Sequence, residues 1–427
     1  MATKTPETTP DSAAGPAQRA TYGAAAQAGM TGKLPMPFPR TIGPNAMTYL
    51  QEVVDGGLRG DLAARFEQRF AAAMGVKHCV ATPGCTPALQ LLAMALSLQP
   101  GDEVIVSPIS DYGTIMGLIK EQLIPVFADV VPGTVNISAD TVAPHITDRT
   151  RAILAVHKTG ILCDMDPLVA LARANDLVVI EDVCQAVFGR YKGRLAGTLG
   201  DAAGFSFDSE KTLGSDMGGC LVTNDDALAE RARFLGHSRG AEMRPGFGRL
   251  HVAAGTALRM PQSTAAITLA QLEIIHEQVA QRDRMARLLY ALLGEIPGVR
   301  PLEVPDYVDV LSPWMVGFSV EPGAFRCSAD EFGAQCAAAG IPGASTARYY
   351  LLPEACTFLA ERAAARVYPY STPPASRSYT YGGDTCPEAQ SFLDGFIRWS
   401  TFCEKYQPEH CRLAADIVRQ VADAQRA

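Results

Sequence analysis

This sequence has no C-x-x-C pair. Its eleven cysteines, at 79, 85, 163, 184, 220, 327, 336, 356, 386, 403 and 411, are scattered and odd in number. Such scatter argues against a zinc site or a disulfide frame and suits reduced thiols in the cytoplasm, and no metal is expected. Charge is sparse, at 19% of residues, and the formal net charge is −8. A negative chain without clustered Lys and Arg is a poor partner for nucleic acid or for an anionic membrane surface. No apolar run reads as a membrane span: the most apolar stretch, residues 79–98, holds Pro83, Gly84 and Pro87 near its start and reads as a turn entering a buried helix. The N-terminal MATKTPETTPDSAAGPAQRATYGAAAQAG lacks an apolar h-region, so no signal peptide is expected, and residues 1–35 are expected to form a mobile tail. Neither G-x-S-x-G nor G-x-x-x-x-G-K-[ST] occurs, which removes a serine-hydrolase elbow and an ATP-binding loop.

What is present is a long chain of 427 residues, 48% of them hydrophobic, enough for a large buried interior divided among two or three domains. Helices are expected around 45–54 and 62–74. From there short β-branched runs alternate with helical segments: HCVAT, 88–98, DEVIVSP, 113–122, IPVFADV, RAILAV, 167–174, LVVIEDV, AAGFSF and GGCLVTN. Strands joined by helical crossovers imply an α/β fold with a mainly parallel central sheet and helices on both faces. Ligands of such sheets bind beyond the carboxyl ends of the strands. The apolar helical pattern over 262–296 leads toward a smaller α+β unit containing PWMVGFSV and ADEFGAQCAAAG. The expected division is a large domain over 36–280 and a small C-terminal domain over 281–427.

The chemistry lies between Leu177 and Gly219. VVIEDVCQA places Asp182 at the end of a strand buried on both faces, where an unpaired carboxylate is costly. GFSFDSEKTLGSDMGG places Lys211 on a glycine-bounded turn. An acid to hold a pyridine nitrogen protonated and an amine to bond an aldehyde are the two charges that pyridoxal phosphate (PLP) requires of a protein. Gln185 is within reach of the ring hydroxyl. The turn ATPGCTPAL offers backbone amides of Gly84, Cys85 and Thr86 at a helix start, which suits a phosphate, and Ser206 adds a hydroxyl. Tyr112 follows the strand DEVIVSP and can stack on the ring. His157, at the strand end AVHKTG, reads equally as a structural histidine or a substrate contact, and Asp111 is a polar neighbour of the same region. Arg348 and Arg377 are candidates for gripping a carboxylate, since a guanidinium fork matches one.

At these residues the chain resembles the DegT/StrS-type sugar aminotransferases, PLP enzymes of the aspartate aminotransferase fold, fold type I. The blocks FEQRFAAAMGVKH, GDEVIVSP, IPVFADV, ITDRTRAILAVH, VVIEDVCQA, GRLAGTLGD, FSFDSEK and LAQLE carry the resemblance, in the family's order, from Gly57 to Glu273. It implies that Lys211 carries the cofactor, that Asp182 meets its pyridine nitrogen and Gln185 its hydroxyl, and that Thr86 and Ser206 hold its phosphate, with Tyr112 stacked on the ring. It also implies a homodimer with shared sites. The family's S-G-T-x-A-L is here Gly84-Cys85-Thr86-Pro87-Ala88-Leu89, and its N-Y-R-[ML] motif is Ala257-Leu258-Arg259-Met260. The asparagine that commonly reaches the neighbour's phosphate is therefore missing.

The expected reaction is transfer of an amino group from an amino acid, L-glutamate or L-glutamine, to the ketone of a sugar or cyclitol, in amino-sugar or antibiotic biosynthesis. Two rivals share the fold: a keto-sugar dehydratase and a non-catalytic or regulatory protein. Family members of the first kind generally carry histidine at the position of Lys211. Intact Lys211, Asp182 and Gln185 argue against the second.

Overall fold

A seven-stranded sheet organises the first two thirds of the computed structural model, which describes residues 34–426. The tail expected over residues 1–35 lies almost wholly outside the described residues. The strands are β1 (His78–Thr82), β2 (Glu103–Val106), β3 (Ile124–Phe127), β4 (Thr150–Val156), β5 (Val178–Asp182), β6 (Ala202–Ser206) and β7 (Gly219–Thr223). Their spatial order is β1-β7-β6-β5-β4-β2-β3. The five strands from β6 to β3 run parallel, while β7 and β1 close one edge antiparallel. All seven strands are buried along all or all but one of their residues. This is why they read as continuous apolar runs and not as alternations.

The parallel register aligns the carboxyl ends. Val156 pairs with Asp182, and Asp182 with Gly204, so the last residue of β5 stands at the middle of that edge. The helix Leu62–Met74 packs Phe66 and Phe70 against Phe205 and Phe207 in edge-to-face contacts, the centre of the core on one face of the sheet. Gly219 is required by close approach. A Cβ on Gly219 would lie 2.3 Å from the carbonyl carbon of Gly84, so the start of β7 sits directly against the turn that opens the helix Cys85–Ala95.

A 33-residue helix, Gln262–Gly294, leads to an antiparallel sheet of strands Val299–Pro301, Val316–Val320, Phe396–Trp399 and Ala344–Thr346, covered by the helices Ala329–Ala339 and Pro408–Gln425. The described residues fall within one compact unit, and the boundary expected at 280/281 lies inside the long helix. No helix among the described residues is long and apolar enough to cross a membrane.

Candidate active site

Alternation along β5 sends its two acids to opposite faces. Glu181 is sealed: Oε2 accepts from His157 Nε2 at 2.9 Å and from the Gly197 N–H at 2.8 Å, and Oε1 accepts from the N–H groups of Leu199 and Gly200, both at 2.7 Å. Asp182, 3% exposed, accepts a hydrogen bond from Thr114 Oγ1 at 2.7 Å and one from the Cys184 N–H at 3.0 Å. A buried carboxylate accommodates about four donors. Asp182 therefore retains capacity for a cationic N–H, the property a pyridine nitrogen requires.

Lys211 lies on the turn between β6 and β7, and its Nζ sits 3.9 Å from the centroid of the Trp314 ring. The turn is held at each carbonyl around the lysine. Arg40 donates to the carbonyls of Ser209 and Thr212 at 2.8 and 2.9 Å, and Trp314 Nε1 donates to that of Glu210 at 2.8 Å. Burial lowers the pKa of Arg40, an effect that Glu404 opposes. Neither Arg40 nor Trp314 carries a sequence signal, because both come from segments more than a hundred residues away.

The turn into the helix Cys85–Ala95 offers the N–H groups of Cys85 and Thr86, which have no partner within the helix. Pro87 has no N–H to satisfy. Thr86 Oγ1 donates to the Gly113 carbonyl at 3.1 Å, which joins this helix start to that of Gly113–Lys120. Tyr112 immediately precedes the second helix, 36% exposed, with its ring edge-on to Phe358. The hydroxyl of Ser206 faces the Asp208 N–H at 3.4 Å. The Cys85 side chain turns inward: the donor atoms of Cys85, Asp182 and Cys184 lie within 4.8 Å of one another. Burial pushes both thiols up, so they stay protonated beside the carboxylate.

Gln185 Oε1 accepts from the Thr159 N–H at 2.9 Å and fixes the turn after β4. Asp111 caps its own turn by accepting from the Gly113 N–H at 2.9 Å. His157 is not part of the open site. It is fully buried, its Nδ1 accepts from the Cys163 N–H at 3.2 Å, and Nε2 is committed to Glu181. Nor do the two arginines suggested by sequence converge here. Arg377 is bound to Glu103 at the amino end of β2, the opposite end of the sheet, and Arg348 is taken up by Glu354 and Asp394. Arg398 is linked to the site region through Tyr350: its Nη1 donates to the hydroxyls of Tyr349 and Tyr350 at 2.6 and 3.3 Å, and the Tyr350 carbonyl accepts from the Ser110 N–H beside Asp111.

The family model described as the DegT/DnrJ/EryC1/StrS aminotransferase family matches residues 40–368. The chain is 40% identical over 250 residues to the GDP-perosamine synthase of Caulobacter vibrioides, covering 58% of this chain and, at 66%, just under two thirds of that protein. Among solved structures, 3-amino-5-hydroxybenzoic acid synthase superposes with a TM-score of 0.78 at 25% identity, over 92% of this chain and 99% of that one. DesI in the presence of its TDP-sugar product superposes with a TM-score of 0.74 at 28% identity, over 91% and 93%.

Proposed function

Because the chain belongs to the DegT/DnrJ/EryC1/StrS aminotransferase family, we propose that it transfers an amino group from an amino acid, L-glutamate or L-glutamine, to a keto-sugar or keto-cyclitol. The family is PLP-dependent, and the residues present fit that cofactor. Asp182 is a buried acid with unused acceptor capacity, Lys211 a turn-borne amine, and the first turn of Cys85–Ala95 carries free amides at the expected phosphate position. PLP, when bound, supplies an aldehyde and a protonated ring that withdraws electrons from the carbon losing its proton. Asp182 keeps that ring cationic. Gln185 and Tyr112 would hold that ring, and Thr86 and Ser206 would join the amides in holding the phosphate. Lys211 would be the residue that holds the cofactor's aldehyde, and with a donor in the site its Nζ would hold the proton that moves between carbons. The Trp314 face limits where that Nζ can stand. Donor and acceptor use one site in turn, so ping-pong kinetics follow.

The observation that carries this reading is the placement of Asp182 and Lys211 at the same edge of the sheet, each on a rigidly held backbone. A synthase of GDP-perosamine and a structure holding a TDP-sugar among the relatives support a sugar acceptor. A second copy is proposed as the partner. Met243 and Phe247 on the hairpin 241–251, Val252 just after it, and Met47, Val54 and Leu58 on or just after the helix Ala46–Asp55, are exposed apolar side chains that suit a protein interface. The eleven free thiols suit a reducing cytoplasm.

The test is spectroscopic. The purified protein should absorb near roughly 400–430 nm, lose the band on borohydride reduction, and lose it reversibly on adding L-glutamate or L-glutamine without an acceptor. A protein with PLP that responds to neither donor would overturn the assignment.

A further inference from the structure

The reaction as derived leaves the buried amine of Lys158 unused. Lys158 lies two residues past the end of β4 and is 1% exposed, and its Nζ has no hydrogen-bond partner among the described residues. That Nζ stands 3.2 Å from the centroid of the Tyr350 ring. The backbone beneath it is fixed. Thr159 is held by Gln185 and adopts a φ of 57°, and a Cβ on Gly160 would lie 2.5 Å from the Ser312 carbonyl oxygen.

The charges that act on Lys158 come from separate elements and include both principal residues of the site: Lys211, Asp111, Arg398 and Asp182. Burial, reinforced by Lys211, holds its amine well below the usual lysine range. A buried amine without an acceptor is destabilising, and methionine or leucine would pack against Tyr350 without that cost. An ammonium offers donors only, so the missing partner is an acceptor, and one of negative charge restores the proton as it binds.

We propose that Lys158 is a binding residue that donates to an oxyanion entering the site beside Asp182. Two sources present that chemistry: the phenolic oxygen of the cofactor and a carboxylate of the substrate. The side chain reaches either by turning Nζ out from under the Tyr350 ring, a rotamer change that leaves the held backbone in place. The proposal rests on the aminotransferase reading.

The experiment uses Lys158→Met, which keeps the length and removes the amine. Its apo form should melt at or above the wild-type temperature, since a buried unpaired amine is gone. PLP is titrated into apo protein, and glutarate, a dicarboxylate without an amine, into PLP-loaded protein. A PLP dissociation constant raised about tenfold or more assigns the cofactor's phenolic oxygen, and a glutarate constant raised by that factor with PLP unchanged assigns the substrate carboxylate. Lys158→Arg should recover part of whichever loss is seen. Both constants within about twofold of wild type would overturn the proposal, since a charge-assisted hydrogen bond is worth more than that. If the Met variant does not fold, Lys158→Gln is put through the same titrations and judged by the same thresholds. Failure of the underlying reading is distinct: wild type would then show no borohydride-sensitive band, whereas failure at Lys158 leaves that band intact.

Discussion

Two buried acids stand at opposite ends of the central sheet and do opposite things. Glu103, fully buried at the amino end of β2, is saturated. It accepts from Thr147 Oγ1 at 2.7 Å, Thr150 Oγ1 at 3.2 Å, Tyr379 OH at 2.6 Å and the Arg377 guanidinium at 2.9 and 3.2 Å. Asp182, at the carboxyl end of β5, has two donors and room for more. Both carboxylates have left water. The first has recovered its hydration from the protein and ties the residue 377–379 segment to the sheet. The second keeps acceptor capacity, and unsatisfied capacity in a buried group marks a candidate ligand site.

If that contrast is right, the two ends of the sheet separate chemistry from stability. The largest effect is expected at the amine. Lys211→Ala should lower turnover by several orders of magnitude and abolish the visible absorbance, with the melting temperature of the apo protein little changed. Steady-state kinetics and an absorbance spectrum check this. Next comes Asp182→Asn, expected to lose about 3–4 kcal/mol of barrier lowering while binding PLP less weakly than that figure suggests. A rate within about threefold of wild type, under 1 kcal/mol, would make Asp182 a structural acid like its counterpart.

The other end should show the reverse. Glu103→Gln removes the charge of a buried acid whose guanidinium partner is half-exposed, and should cost about 1–2 kcal/mol of stability in urea denaturation, with kcat nearly unchanged. A smaller effect is expected at Arg40, which touches no reacting atom and holds the carbonyls on either side of Lys211. Arg40→Met should lower kcat about tenfold, and Arg40→Lys should not restore it, since one ammonium cannot replace a planar fork across two carbonyls. The smallest concerns the second copy. Ala257 is exposed near the end of the 239–259 segment, and Ala257→Asn should tighten PLP by about 1 kcal/mol if a neighbour's segment reaches the phosphate turn. Gel filtration at micromolar concentration accompanies this test: an active monomer would remove the shared site.

The strands and most helices were legible because their burial is expressed along the chain. The helix Leu62–Met74 was expected at those residues, ended by Gly75 at a φ of 68°. The helix after the turn at 82–86 starts at Cys85 and not at 88, since the turn residues themselves supply its first N–H groups. Asp182 and Lys211 stand out in the sequence because an acid after an apolar strand and a lysine before a glycine pair are local departures from pattern. His157 was ambiguous because its role depends on Glu181, which reaches it only across two adjacent strands. Arg377 looked available in the sequence and is consumed by Glu103, 274 positions away.

What the sequence determined by itself was the order of elements and the residue types the chemistry requires, since periodicity, turn residues and buried charge are local properties. The tertiary structure alone decided which polar groups were already satisfied. Hydrogen-bond partners of a buried group come from wherever the fold brings backbone and side chains together. That is why Glu181 and Asp182, adjacent in the chain, differ in what they can still bind, and why Arg40, Trp314 and Lys158 entered the site only once the chain was folded.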